Sequence, residues 1–185
     1  YYSASNYFST YVKTFPKGKH TEECRYMIGY CYYLDSPDAR LDQTPTIQAI
    51  TALSEFIEIY PESKYLSEAA KLIKELQEKL AYKAYLNARL YYNMGNYLGN
   101  NYLSAVITAR NAIRNYPNTK YKEELFMIVL RSKYEQVLQS VVAKRTERFT
   151  DTIDEYYNYL NEFPKGKYLK EAQQIFKISS NFVKN

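Results

Sequence analysis

Apolar side chains recur along this chain at helical spacing, and the pattern restarts four times around one short phrase. The phrase is Phe15-Pro16-Lys17-Gly18-Lys19-His20, then Tyr60-Pro61-Glu62-Ser63-Lys64-Tyr65, Tyr116-Pro117-Asn118-Thr119-Lys120-Tyr121 and Phe163-Pro164-Lys165-Gly166-Lys167-Tyr168. Its prolines stand 45, 56 and 47 residues apart. Twelve, eight, five and four residues before the second proline are Ala49, Leu53, Phe56 and Ile57, and the other three units place Ala or Thr and then apolar residues at the same offsets. Those steps keep one face of a 3.6-residue helix apolar. Beyond each proline a second stripe opens with Cys24, Ala69, Leu125 or Ala172, each preceded by a glutamate (Glu23, Glu68, Glu124, Glu171) that meets the positive end of a new helix. Proline ends the first helix and biases its predecessor away from helical angles. Each unit therefore reads helix, proline turn, helix.

The pattern predicts helices over 1–15, 19–34, 44–60, 64–93 (in one piece or broken near 80), 100–116, 119–143, 147–163 and 167–182. Five glycines and no alternating runs leave no signal for strands. A phrase repeating at such a period marks a stacked array rather than one closed core. Small at the start of a helix, apolar four and seven residues later, and proline five after that is the second-helix pattern of a tetratricopeptide repeat. The expected fold is therefore all-α, a tetratricopeptide-like helical-hairpin solenoid of about eight helices. The units exceed the usual roughly 34 residues, with the excess at Leu34 to Pro45 and Lys64 to Asn93. Residues 1–185 are expected to form a single solenoid, with an N-terminal arm (1–60), a long linking helix (61–95) and a C-terminal arm (96–185). Tyr1 to Phe15 reads as a second helix without its first. Repeat arrays need capping units, so the expectation is that preceding residues have been removed.

Composition changes this picture mainly through tyrosine. The chain has 23 tyrosines, eight phenylalanines and no tryptophan. Many fall in the stripes as packing residues, but Tyr26, Tyr30, Tyr32 and Tyr33 cannot share one helix face, so some must line a surface, and Tyr-rich surfaces suit peptides. The net charge of +5 is mild. Its densest basic spot, Lys144, Arg145 and Arg148, reads as a solvated helix face, and no basic stripe or nucleic-acid motif accompanies it. Cys24 and Cys31 lie seven apart on one predicted helix, roughly 10 Å by helix rise and beyond the roughly 7 Å reach of a disulfide. They read as packing residues. His20, the only histidine, takes the place tyrosine holds in the other phrases. Neither cysteine has a histidine partner, and no metal-ligand spacing, P-loop or dinucleotide glycine run occurs. No enzyme, cofactor or metal is expected.

The segment Asp35 to Thr46, with Leu41-Asp42-Gln43 before a helix, and the long run Ile73 to Tyr92 resemble the BamD/YfiO family, tetratricopeptide lipoproteins of the outer-membrane β-barrel assembly (BAM) machinery. Tyr97 to Thr119 and Phe163 to Phe176 are similar to that family's fourth and fifth repeats. The richness in Tyr, Lys and Asn is nearest to members from Bacteroidetes-type bacteria. The first repeat, part of the second and the lipidated cysteine are absent from these residues, and Ala143 to Asp151 stands where many relatives have a shorter connection. The resemblance implies a periplasmic scaffold at the outer membrane, attached through a lipid anchor that this chain lacks. Its implied partners are the POTRA domain of a BamA-like barrel protein, unfolded outer-membrane proteins and other BAM lipoproteins. It further implies docking through residues 97–182 and makes residues 1–60 part of the substrate arm; Arg110 and Arg114, polar positions on the fourth-unit helix, are the expected docking contacts. In the substrate arm, an extended peptide ending in an aromatic would lie among Tyr7, Tyr11, Tyr26 and Tyr30. The rival reading is another tetratricopeptide cell-envelope adaptor.

Overall fold

The computed structural model describes residues 1–184, and among them it contains eight α-helices and no strand. They are α1 (Tyr2–Thr14), α2 (Thr21–Asp35), α3 (Thr44–Ile59), α4 (Leu66–Met94), α5 (Asn101–Asn115), α6 (Lys122–Leu138), α7 (Val142–Glu162) and α8 (Leu169–Lys184). The all-α, helical-hairpin expectation holds, and the long run expected over 64–93 is one unbroken helix, α4.

The repeated phrase builds the same turn four times. Phe15, Tyr60, Tyr116 and Phe163 end their helices with φ between −126° and −132° and ψ between 64° and 68°. That is outside the helical region, as the following proline demands. Each donates its N–H to the carbonyl four residues back, and its own carbonyl accepts from the residue three ahead: Gly18, Ser63, Thr119 or Gly166. The lysine and tyrosine that close the phrase pair as ammonium over ring, at 4.8 Å for Lys64 and Tyr65, 5.2 Å for Lys120 and Tyr121, and 4.9 Å for Lys167 and Tyr168.

The chain divides into two compact units, residues 1–83 and 84–185, and the division falls within α4. The first unit is built around Tyr26, Leu53, Phe56, Leu72 and Leu76. Gly29 is needed there, because a Cβ at that position would lie 2.7 Å from the Leu53 side chain. Cys24 and Cys31 are buried free thiols, and burial pushes both above the ordinary thiol value, which keeps them unreactive. The Leu41-Asp42-Gln43 loop is tied down from inside. Gln43, 5% exposed, donates to the carbonyls of Asp38 (2.8 Å) and Leu41 (3.1 Å), while Lys83 Nζ donates to Leu41 O (2.5 Å) and Lys79 Nζ to Ser36 Oγ (2.7 Å).

The second unit has two cores that share α6. Ala88, Ala105, Ala109, Leu125 and Val129 form one, and Met127, Leu130, Tyr156, Tyr159 and Ala172 the other. This explains the run Phe126-Met127-Ile128-Val129-Leu130, apolar all round because α6 is buried on two sides.

One boundary differs from expectation. The sixth helix stops at Leu138 rather than 143, and the seventh starts at Val142 rather than 147, so the whole of Ala143 to Asp151 lies in α7 instead of forming a connection. The cause is the pair of arginines that the sequence offered as a solvated face. Arg145 Nε donates to Ser140 O (3.0 Å), and Arg148 Nη1 donates to Ser140 Oγ and to Gln136 O (3.4 Å). Two cations thus close the negative end of α6 and hold the turn at 139–141.

Candidate partner-binding surfaces

Arg110 and Arg114 lie on α5, one turn apart and beside its buried stripe of Ala105, Ala109 and Ala112. Both border an open groove of about 470 Å3, with Ile113, Phe126 and Val129 as its apolar part and Asn158, Asn161 and Glu162 contributed by α7. The two arginines differ in what they already hold. Arg110 Nη2 lies 2.6 Å from Glu155 Oε2, which also receives Lys133 Nζ at 2.9 Å. Glu155 is only 5% exposed. Burial pushes its pKa up, but Lys133 and Arg110 together outweigh that and hold the carboxyl below its ordinary value. Arg114 instead donates to the neutral side chain of Asn111 at 2.9 Å, and among the described residues no carboxylate pairs with it. No ion pair among them holds its charge, although Glu155 and Glu162 line the same groove. The groove therefore offers one free guanidinium, two exposed side-chain amides and an apolar floor, groups that bind a carboxylate or an extended backbone.

In the first unit the four named tyrosines are not brought together as one set. Tyr7 is 79% exposed. Tyr11 is half-buried and tilted on Phe15, with ring centroids 5.3 Å apart. Tyr26 is 4% exposed, a core ring stacked on Tyr65 (4.5 Å, 5°) and packed against Phe56 (5.7 Å). Tyr30 is half-buried, stacked between Tyr26 (5.9 Å) and Tyr33 (6.0 Å). The stacked row is thus Tyr65, Tyr26, Tyr30 and Tyr33, fastened by Tyr33 donating to Glu75 Oε2 at 3.0 Å. Tyr33 could have been found, since positions 26, 30 and 33 share a helix face. Tyr65 comes from the next phrase, and no local spacing points to it.

Sequence reasoning also missed a second aromatic and cationic surface in residues 84–184. Arg131 makes a two-pronged pair with Glu171 (2.5 and 2.6 Å) and lies over the Tyr168 ring at 5.0 Å. Tyr85, Arg89 and Tyr92 line a cavity of about 150 Å3 beside it. No group of histidine, cysteine and carboxylates among the described residues could hold a metal ion, and no helix is long and apolar enough to cross a membrane.

The chain is similar in sequence to known proteins. Outer membrane protein assembly factor BamD of Neisseria gonorrhoeae is 28% identical over 127 residues, covering 69% of this chain and 42% of that protein. The factor of the same name from Caulobacter vibrioides is 26% identical over 120 residues, covering 64% of this chain and 38% of the relative. A third relative, from Aquifex aeolicus, whose name carries the same factor, is 28% identical over 184 residues and covers the whole chain and 58% of its own length. The chain thus spans about half the length of the curated relatives it matches. Residues 1–100 match the family described as YfiO, outer membrane lipoprotein, and the chain belongs to that family.

Proposed function

We propose that the protein is a non-enzymatic scaffold of outer-membrane β-barrel assembly, acting at the periplasmic face of the outer membrane. The names of its relatives support the assembly role. In this reading the Arg110–Arg114 groove receives the POTRA domain of a BamA-like barrel protein, and the exposed tyrosines of the first unit receive the aromatic end of an unfolded barrel substrate. Other BAM lipoproteins would share the remaining surface.

The observation that carries the reading is Arg114, a free guanidinium on the rim of an apolar groove flanked by Asn158 and Asn161. Such a site selects a partner carboxylate, because the guanidinium fork matches its geometry. The test is calorimetric titration of the protein with the isolated POTRA region of the barrel subunit. Arg114→Glu should lower the affinity at least tenfold, about 1.4 kcal/mol, with the helical circular dichroism unchanged. An unaltered Kd would remove the groove from the docking surface.

A further inference from the structure

The net charge of the chain is unevenly divided. Residues 1–83 contain 10 basic and 11 acidic side chains and residues 84–185 contain 15 and 9, so the first unit stands at −1 and the second at +6. Five of the second unit's 15 basic side chains meet a carboxylate: Arg110 and Lys133 meet Glu155, Lys122 meets Glu162, Arg131 meets Glu171 and Lys167 meets Glu124. Of the others, three stand in one row on α8.

Lys170, Lys177 and Lys184 are exposed and stand seven residues apart. Two heptads at 1.5 Å per residue place them in one row about 21 Å long. Ala172, Ile175 and Ser179 turn the opposite side of the helix into the core. Between the lysines the same face carries exposed Gln173, Gln174 and Asn181. The sole acid of α8, Glu171, is taken by Arg131, and among the described residues no carboxylate pairs with the three lysines. Ile178, 49% exposed, borders the row, while Phe182 turns toward the core and packs its ring on Phe149 at 4.4 Å.

We propose that this face of α8 rests on a phospholipid surface bearing anionic headgroups, with the three ammonium groups among the phosphates and Ile178 at the margin. Three observations select that occupant. The row is made of lysines, compact charges on flexible stems that follow mobile phosphates, whereas fixed carboxylates are matched by arginine forks such as Arg131. The lysines lie along a single helix, which a planar headgroup layer can reach at every position. The description of the family as an outer membrane lipoprotein brings a bilayer within reach. The contact is independent of the docking groove on α5 and α7.

The test is co-sedimentation of the protein with vesicles of phosphatidylcholine alone and of phosphatidylcholine mixed with phosphatidylglycerol. Binding is expected only to the mixed vesicles and should weaken with salt. The triple change Lys170→Gln, Lys177→Gln, Lys184→Gln lies on a solvent face and should leave the circular dichroism intact. It should weaken partitioning on the order of a hundredfold, from three increments of about fivefold. Lys13→Gln, Lys17→Gln, Lys19→Gln removes equal charge from exposed positions of the first unit and should leave binding in place. Equal losses in the two triples, no loss in the α8 triple, or no binding to mixed vesicles each overturn the proposal. Polyglutamate serves as the competing probe: if it binds through the α8 lysines while vesicles do not, the occupant is an acidic protein and the lipid assignment is wrong.

Discussion

Tyr159 donates its phenol hydrogen to Glu123 Oε1 across the α6–α7 hairpin at 2.8 Å, and the Tyr168 N–H reaches the same oxygen at 3.3 Å. The phenol fills the space a side chain at Gly166 would need, since a Cβ there would stand 2.4 Å from both Tyr159 Oη and Glu123 Oε1. The first phrase repeats the arrangement, with Tyr11 Oη 2.9 Å from a Cβ at Gly18. Where the earlier position is Phe56 the later one is Ser63, whose hydroxyl donates to Glu22 Oε1 at 2.5 Å. Glu22 and Glu123 each stand six residues beyond their proline. One acceptor is thus served by a tyrosine facing a glycine in one unit and by a serine facing a phenylalanine in another.

The two positions should therefore be exchangeable only together. Tyr159→Phe should cost about 1 kcal/mol from the lost hydrogen bond, and Gly166→Ser about 1–3 kcal/mol from overpacking. The double variant should be more stable than the sum of the two predicts, with a coupling of at least about 0.5 kcal/mol in a double-mutant cycle read by urea unfolding. Simple additivity would show that the two sites do not share the space.

The pH profile has a separate cause at each end. Glu155 has a folded pKa below its ordinary 4.5, so its contribution is whole above that value and is lost as pH falls through the lower folded value. Glu155→Gln should destabilise at pH 7 by about 2–3 kcal/mol, less than for a wholly buried pair because Arg110 is half exposed, and should flatten the acid limb of a Tm-against-pH curve. Tyr26 and Tyr159 titrate above their ordinary 10.0, chiefly through burial and then through carboxylate neighbours. Their contribution is whole below pH 10 and declines as pH rises further, so Tyr159→Phe should soften the alkaline limb.

Among the tyrosines, stability and binding should separate. Tyr26→Ser opens the first unit's core and should cost about 3–5 kcal/mol, so any loss of peptide binding in that variant reports unfolding. Tyr7→Ser lies on the surface and should change stability by no more than about 0.5 kcal/mol. If the exposed tyrosines receive substrate, Tyr7→Ser should still weaken binding of an aromatic-ended barrel peptide severalfold by fluorescence anisotropy. Unchanged anisotropy titrations with a folded Tyr7 variant would exclude that ring.

Arg148→Ala should release the end of α6. Amide hydrogen exchange at residues 136–140 should accelerate, with a loss of about 1 kcal/mol, while Lys144→Ala, at an exposed position one turn earlier, should leave those amides as they were.

Much of the fold was legible because proline and the apolar stripes act locally: each aromatic-proline pair marked a helix end to within a residue or two. The α6–α7 junction was not, because neither proline nor glycine marks it. Its turn is held by Arg145 and Arg148 from the far side, five to twelve residues away in sequence. The same limit hid the site chemistry. Arg110 and Arg114 look alike on a helix, and only Glu155, 45 residues beyond Arg110, distinguishes the paired guanidinium from the free one. Tyr26 read as a surface ring until Tyr65 and Phe56 closed over it.

Helices packed on their neighbours in sequence also govern how the chain can be made. α1 lies on α2 and α2 on α3, and α4 contributes Leu72 and Leu76 to the same core. No distant segment has to be awaited, so loop-closure entropy stays small and folding is expected to be fast. For a chain delivered from its N-terminus, Leu53, Phe56 and Leu76 can be out of water by the time Lys83 emerges. The apolar surface exposed at any moment is then little more than one hairpin, which limits what a growing chain offers to aggregation.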